Sequence, residues 1–141
     1  MTTDASTPLE QMTAAEPTVL WNDSADPREL SQSIAMGGVG ATCNPVIAYT
    51  TINQHKDIWG PRIRRIADDN PTWGESDIGW QAIKDMSVEA AGLLLPAFEK
   101  YNGVNGRLSV QTDPRLHRSA EQLVAQAVEF SELAPNIIVK A

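Results

Sequence analysis

The sequence predicts an α/β protein in which a parallel sheet is covered by helices, on three observations. Four short segments rich in β-branched or apolar residues stop at turn residues: Thr18–Trp21, Val39–Cys43, Arg107–Thr112 and Asn136–Lys140. Between them lie longer stretches whose apolar residues recur at helical spacing. Several of the strand-to-helix turns carry an acidic or amide residue followed by proline: Asp26-Pro27, Asn44-Pro45 and Asp113-Pro114. Such a pair supplies a helix cap and a pre-set first helical φ, as a tight strand-to-helix turn requires. Strands that alternate with helices build parallel sheets.

Taken in order, residues 1–16 form a polar Thr/Ala/Glu stretch with no basic region and no apolar core, expected to be a mobile tail. After the first strand, Asp26 caps a helix over Pro27–Met36. The glycine-rich run Met36–Gly40 follows that helix and precedes a strand, the wrong order for a phosphate loop, so it reads as a helix C-cap. A second helix opens at Asn44-Pro45 and runs to about Gln54, and another spans Asp57–Asp69. Pro71–Gly74 breaks the chain before Ser76–Tyr101. There Ile78, Ala82, Ile83, Met86, Ala90, Leu93, Leu94 and Ala97 mark a buried face, and Pro96 predicts a kink or a split. Trp59, Trp73 and Trp80 are placed to pack this helical insertion (about 57–101) down. Ser119–Leu133 puts Leu123, Ala127 and Phe130 on one face, with Val124 and Val128 beside it.

Composition narrows the function. A net charge of −7 argues against nucleic acid or an anionic membrane as a partner, since both need clustered Lys and Arg. No apolar run approaches the roughly 18 residues that span a bilayer. The lone Cys43 has no disulfide partner, which suits a reducing, cytoplasmic setting, and it reads as a small buried residue. His55 and His117 stand apart from other ligand types, so no metal is expected.

Ligands of parallel α/β barrels bind at the carboxyl ends of the strands. The polar residues there are Asn22, Asp23 and Ser24, then Thr42 and Asn44, then Gln111 and Asp113, then Lys140. Lys140 ends the run Asn-Ile-Ile-Val-Lys, where a buried strand favours another aliphatic residue. An amine partly desolvated there is a nucleophile toward a ketone. Spacing alone favours the plainer role of a surface lysine just past a strand. Asp23 suits proton exchange with hydroxyls or a carbinolamine, or simply a turn. Gln111 and Asn44 offer amides to a polyol or a water, or to a loop and a helix cap.

The runs Trp21-Asn-Asp-Ser-Ala-Asp-Pro, Gly40-Ala-Thr-Cys-Asn-Pro45, Gly106-Arg-Leu-Ser-Val-Gln-Thr-Asp-Pro-Arg-Leu116 and Ala134-Pro-Asn-Ile-Ile-Val-Lys140 resemble the transaldolase family, in the family's order. The resemblance implies the N-terminal half of a (β/α)8 barrel, about four βα units over residues 17–141. It implies a class I aldolase mechanism that needs no cofactor, acting on sugar phosphates. Lys140 would form the Schiff base, Asp23 would move protons, and Thr42 and Asn44 would contact substrate. A dihydroxyacetone unit held on the lysine would pass to an aldose phosphate. Many family members carry glutamate in the third motif, working with a water. Gln111 instead resembles the fructose-6-phosphate aldolase branch, and an amide holds a water without taking its proton.

The family continues beyond the lysine with further strands that grip the sugar phosphate, and Arg107 and Arg115 do not match that grip. Four units do not close a barrel, so the chain is expected to be a piece of a longer protein. Otherwise its edges would be covered by self-association or by a complementing C-terminal half. Two alternatives differ in class. A protein that kept the fold without the chemistry would serve as a binding partner. A flavodoxin-like open sheet would want a glycine-rich loop after the first strand, which Asp23-Ser-Ala-Asp-Pro lacks.

Overall fold

The computed structural model describes residues 7–141. In chain order the elements are α1 (Pro8–Ala15), β1 (Leu20–Asn22), α2 (Pro27–Ala35), β2 (Gly38–Cys43), α3 (Pro45–Gln54), α4 (Lys56–Asp69), α5 (Glu75–Lys100), β3 (Arg107–Gln111), α6 (Ala120–Ser131) and β4 (Ile137–Lys140). A 3-10 turn, Pro114–Leu116, follows β3. The strands form one sheet in the order β1-β2-β3-β4, every pair parallel. Consecutive parallel strands joined through helices are the arrangement expected of the N-terminal half of a (β/α)8 barrel.

Alternation along the strands divides the sheet into two faces. Ala41 and Cys43 of β2, Leu108 and Val110 of β3 and Ile137 of β4 are buried, and they join the core built by α2, α5 and α6. Leu30, Ala82, Met86, Ala90, Leu94 and Phe130 complete that core from the helix side. Each fully buried Leu or Phe contributes about 1.5–3 kcal/mol through removal from water. The residues of opposite parity, Thr42, Ser109, Gln111, Ile138 and Lys140, are half-buried or exposed. This second face carries no helix of its own among the described residues.

Four findings depart from the sequence reading. Residues 8–15, expected within a mobile tail, form α1, whose capping box joins Thr7 and Glu10 and whose first residue is Pro8; residues 1–6 lie outside the described residues. Helix α5 runs unbroken through Pro96. The proline sits on the exposed side, and the carbonyl that loses its partner is that of the equally exposed Gly92, which water can reach. Leu93, assigned to the buried face of α5, is 36% exposed. Trp73 is 38% exposed beside α4 and α5, covered less fully than the reading implied, whereas Trp59 is buried and Trp80 lies against Phe130, with ring centroids 5.8 Å apart.

The C-cap reading of Met36–Gly40 agrees with the structure: Met36 closes α2 and Gly37 takes the left-handed φ of +94° that ends such helices. Two further helices, α3 and α6, begin as their caps dictate. Asn44 accepts from the backbone N–H groups of Val46 and Ile47, and Ser119 from that of Gln122.

Candidate active site

Each strand end delivers its polar residue by the two-residue period of the strand. Trp21 of β1 pairs with Gly40 of β2, so Asp23, two residues on, falls on the same face as Thr42. The Thr42 hydroxyl donates to Asp23 Oδ1 at 2.7 Å. Gly40 makes room for this corner: a Cβ there would stand 2.4 Å from the Trp21 indole ring. The Trp21 ring therefore lies over Gly40 of β2 on the uncovered face.

Toward the other edge of the sheet, Gln111 and Lys140 are register partners, and Thr112 N–H donates to the Lys140 carbonyl at 3.1 Å. Their side chains leave the sheet on the same face as Thr42. The site residues thus fall into two pairs, Asp23 with Thr42 and Gln111 with Lys140. β1 and β4 are the outer strands, three strand spacings apart, or ~14 Å along the sheet.

Of the two readings of Lys140, the structure has the plainer one that spacing favoured: the side chain is exposed at the end of an edge strand, and not desolvated among aliphatic residues. Asn44 takes the helix-cap role also read for it: its side-chain oxygen caps α3, at 2.9 Å from both N–H donors. Only its amide nitrogen is left to face a ligand.

The aspartates before proline do more than cap. Asp26 is buried, accepts from Arg28 N–H at 2.8 Å and faces His55 Nε2 at 2.9 Å, tying the start of α2 to the α3–α4 junction. His55 is therefore occupied by Asp26 at this junction. Among the described residues no group of three or more His, Cys, Asp or Glu side chains is placed to hold a metal.

Asp113 anchors the turn two residues beyond Gln111. Its carboxylate accepts from the backbone N–H of Arg115 at 2.9 Å, from the guanidinium at 2.6–3.0 Å and from Trp80 Nε1–H at 3.1 Å. Its own N–H donates to Gln126 at 2.6 Å. The Arg115 bonds hold the Asp113 carboxyl below the usual carboxylate range, against the opposing effect of burial. Arg115 in turn is held above its ordinary value by Asp113. The Asp-Pro-Arg run signalled a cap; nothing in it pointed to Trp80, 33 residues away.

Cys43 points to the helix side, away from this face. Burial pushes its thiol up to about 11, partly offset by a hydrogen bond with Ser87. It belongs to the core.

The sequence pattern of the family described as Transaldolase/Fructose-6-phosphate aldolase matches residues 20–141. The chain is 31% identical to a transaldolase of Thermobifida fusca over 94% of its own length and 31% identical to one of Frankia alni over 96%. It is 38% identical to a transaldolase of Mycobacterium bovis over 72% of its length. The chain spans only 37% and 38% of the first two relatives.

Proposed function

Because the chain belongs to the transaldolase/fructose-6-phosphate aldolase family, we propose that its uncovered sheet face carries the Schiff-base part of a site that transfers a dihydroxyacetone unit between sugar phosphates, within a longer protein. The observation that carries this reading is the shared face: Asp23, Thr42, Gln111 and Lys140 leave adjacent strand ends on the side the helices leave free.

In this reading the Lys140 amine attacks the ketose carbonyl carbon, and the carbonyl oxygen takes up a proton to give a carbinolamine. Loss of water then leaves the Schiff base. Asp23 supplies the proton that leaves with that water. It next accepts the proton of the hydroxyl beside the bond that breaks, releasing an aldehyde and leaving an enamine on Lys140. The acceptor aldehyde adds to the enamine carbon and the steps reverse. Thr42, donating to Asp23 Oδ1, keeps that carboxylate aimed over β2.

Gln111 favours a second reading of the same site, aldol cleavage without transfer. An amide orients a water but does not take its proton, so water-dependent steps fall to Asp23. The third alternative, a fold kept for binding alone, differs by forming no covalent adduct.

Prolonged incubation of the chain with fructose 6-phosphate and borohydride, followed by peptide mapping, tests the proposal. The reduced adduct is expected on Lys140 in preference to Lys56, Lys84 and Lys100, and is expected to vanish in Lys140→Met. Adduct spread evenly over the four lysines would refute it.

A further inference from the structure

A cavity lies outside the proposed site, beside the turns that carry Asn44 and Gln111. It has a volume of about 410 Å³ and is walled by α3, the first turns of α5 and the Asp113–Arg115 turn. Its walls are apolar, with Tyr49, Ile52, Trp80 and Ile83 as the large side chains. Tyr49 is 70% exposed at its rim, an uncommon place for an aromatic ring on a helix. One corner alone is polar, made by Ser76, Asp113 and Arg115.

That corner is arranged as an anion receptor. The Asp113 carboxylate is 7% exposed and fully engaged, whereas the Arg115 side chain is 66% exposed. The negative charge therefore lies inward and the positive one faces the opening. Arg115 uses Nε and Nη2 on Asp113 and Ser76 Oγ, which fixes the plane of the guanidinium and leaves its Nη1 N–H groups for a ligand. A guanidinium whose orientation is already set loses little freedom on binding an oxyanion.

We propose that this cavity binds a compact planar apolar molecule bearing a carboxylate, its ring against Trp80 and Tyr49 and its oxygens on Arg115 and Ser76. The volume and the mostly apolar lining with one polar corner suit a small ligand of this kind. A sugar phosphate fits the same arginine but not the walls, where its hydroxyls would be buried without partners. The site is thus distinct in chemistry from the strand-end face, and it stands whether or not Lys140 forms a Schiff base. Its walls include the helix capped by Asn44 and the turn that follows Gln111, so an occupant would bear on both.

The test is a titration of the chain with 1-naphthoate, followed through the four indole N–H resonances in a proton–nitrogen correlation spectrum. Trp80 is assigned by its loss in Trp80→Phe. A saturable shift of Trp80, with Trp59 and Trp21 still, is expected with a Kd of about 1 mM, the strength typical of a fragment of this size. Arg115→Gln is expected to weaken binding ~5–10-fold. Because Arg115→Gln also leaves Asp113 with fewer partners, Gly79→Leu gives an independent check. A side chain there meets nothing within 4 Å, lines the cavity and improves a helix position. It is expected to abolish binding while the spectrum stays dispersed. The proposal is overturned if Trp80 does not move, if all four indoles move alike, or if Gly79→Leu binds as before. It is equally overturned if neutral 1-naphthalenemethanol or fructose 6-phosphate binds there as tightly as 1-naphthoate.

Discussion

Asn136 holds the start of β4, and removing its amide should show how much of the fold depends on that one group. The residue is 1% exposed, and its Nδ2 donates at 2.8 Å to two carbonyls, Ala91 of α5 and Gly106 before β3. One side chain thus ties the long helix, the β3 entry and the β4 entry together. Two such hydrogen bonds contribute roughly 1–3 kcal/mol net. Against this, Asn136 Oδ1 is buried without a partner, and its loss in Asn136→Ala returns part of that sum. The expected cost is about 2 kcal/mol. Asn136→Asp keeps the shape but turns a donor into an acceptor facing two carbonyls, and should cost more than Asn136→Ala. Equilibrium urea unfolding, read by tryptophan fluorescence at constant m-value, measures both. A cost below ~0.5 kcal/mol for Asn136→Ala, or an Asn136→Asp variant more stable than it, would refute the reasoning.

Three further outcomes follow from the geometry. The Cys43 thiol, raised from 9.0 to about 11, is uncharged in both states below pH 9, so its contribution is whole there and is lost between pH 9 and 11, by up to about 3 kcal/mol; Cys43→Ala should flatten that loss in alkaline unfolding curves. Asp113 is held below 3.8, so it stabilises the fold above that pH and less as pH falls through its lowered value; Asp113→Asn should show a shallower acid transition by circular dichroism. Gly40→Ala would press a Cβ into the Trp21 ring, costing ~1–3 kcal/mol and changing the near-ultraviolet dichroism of that indole.

The fold was legible because the signals were local and repeated. Asp26, Asn44 and Asp113 sit before proline at helix starts and cap there, and the aliphatic strand segments lie within two residues of β1 to β4. What failed depended on neighbours distant in sequence. Whether Leu93 or Leu94 faces the core turns on how α5 is rotated against the sheet, and period alone allows either. Pro96 breaks a helix only where its missing bond is buried. The parity of Asp23 with Thr42, and of Gln111 with Lys140, follows from register, which no single strand contains. The exposure of Lys140 turns on what covers the face beyond β4, and the aliphatic run before it says nothing of that.

The two faces of the sheet are under different demands, and that difference bears on the chemistry. On the helix side every residue is set by packing: Ala41 and Leu108 at 0% exposure admit no alternative size without a cavity or a clash. On the other side packing constrains Trp21 and Ile138 but asks little of the polar residues at the strand ends. It does not ask for a hydroxyl aimed at a carboxylate across two strands, or for an amide level with an amine. A hydrogen bond between exposed groups, such as Thr42 to Asp23, returns little stability because water competes for both partners. Such a pair orients its groups at small energetic gain, which suits the proposed role of the face. Condensation with a ketone proceeds through a neutral amine, and exclusion of water favours that form. In the proposed reading the shared face supplies orientation, while the Lys140 side chain is exposed. Adduct formation at Lys140 in the chain of 141 residues is therefore expected to be selective but slow, and a borohydride time course with fructose 6-phosphate measures it.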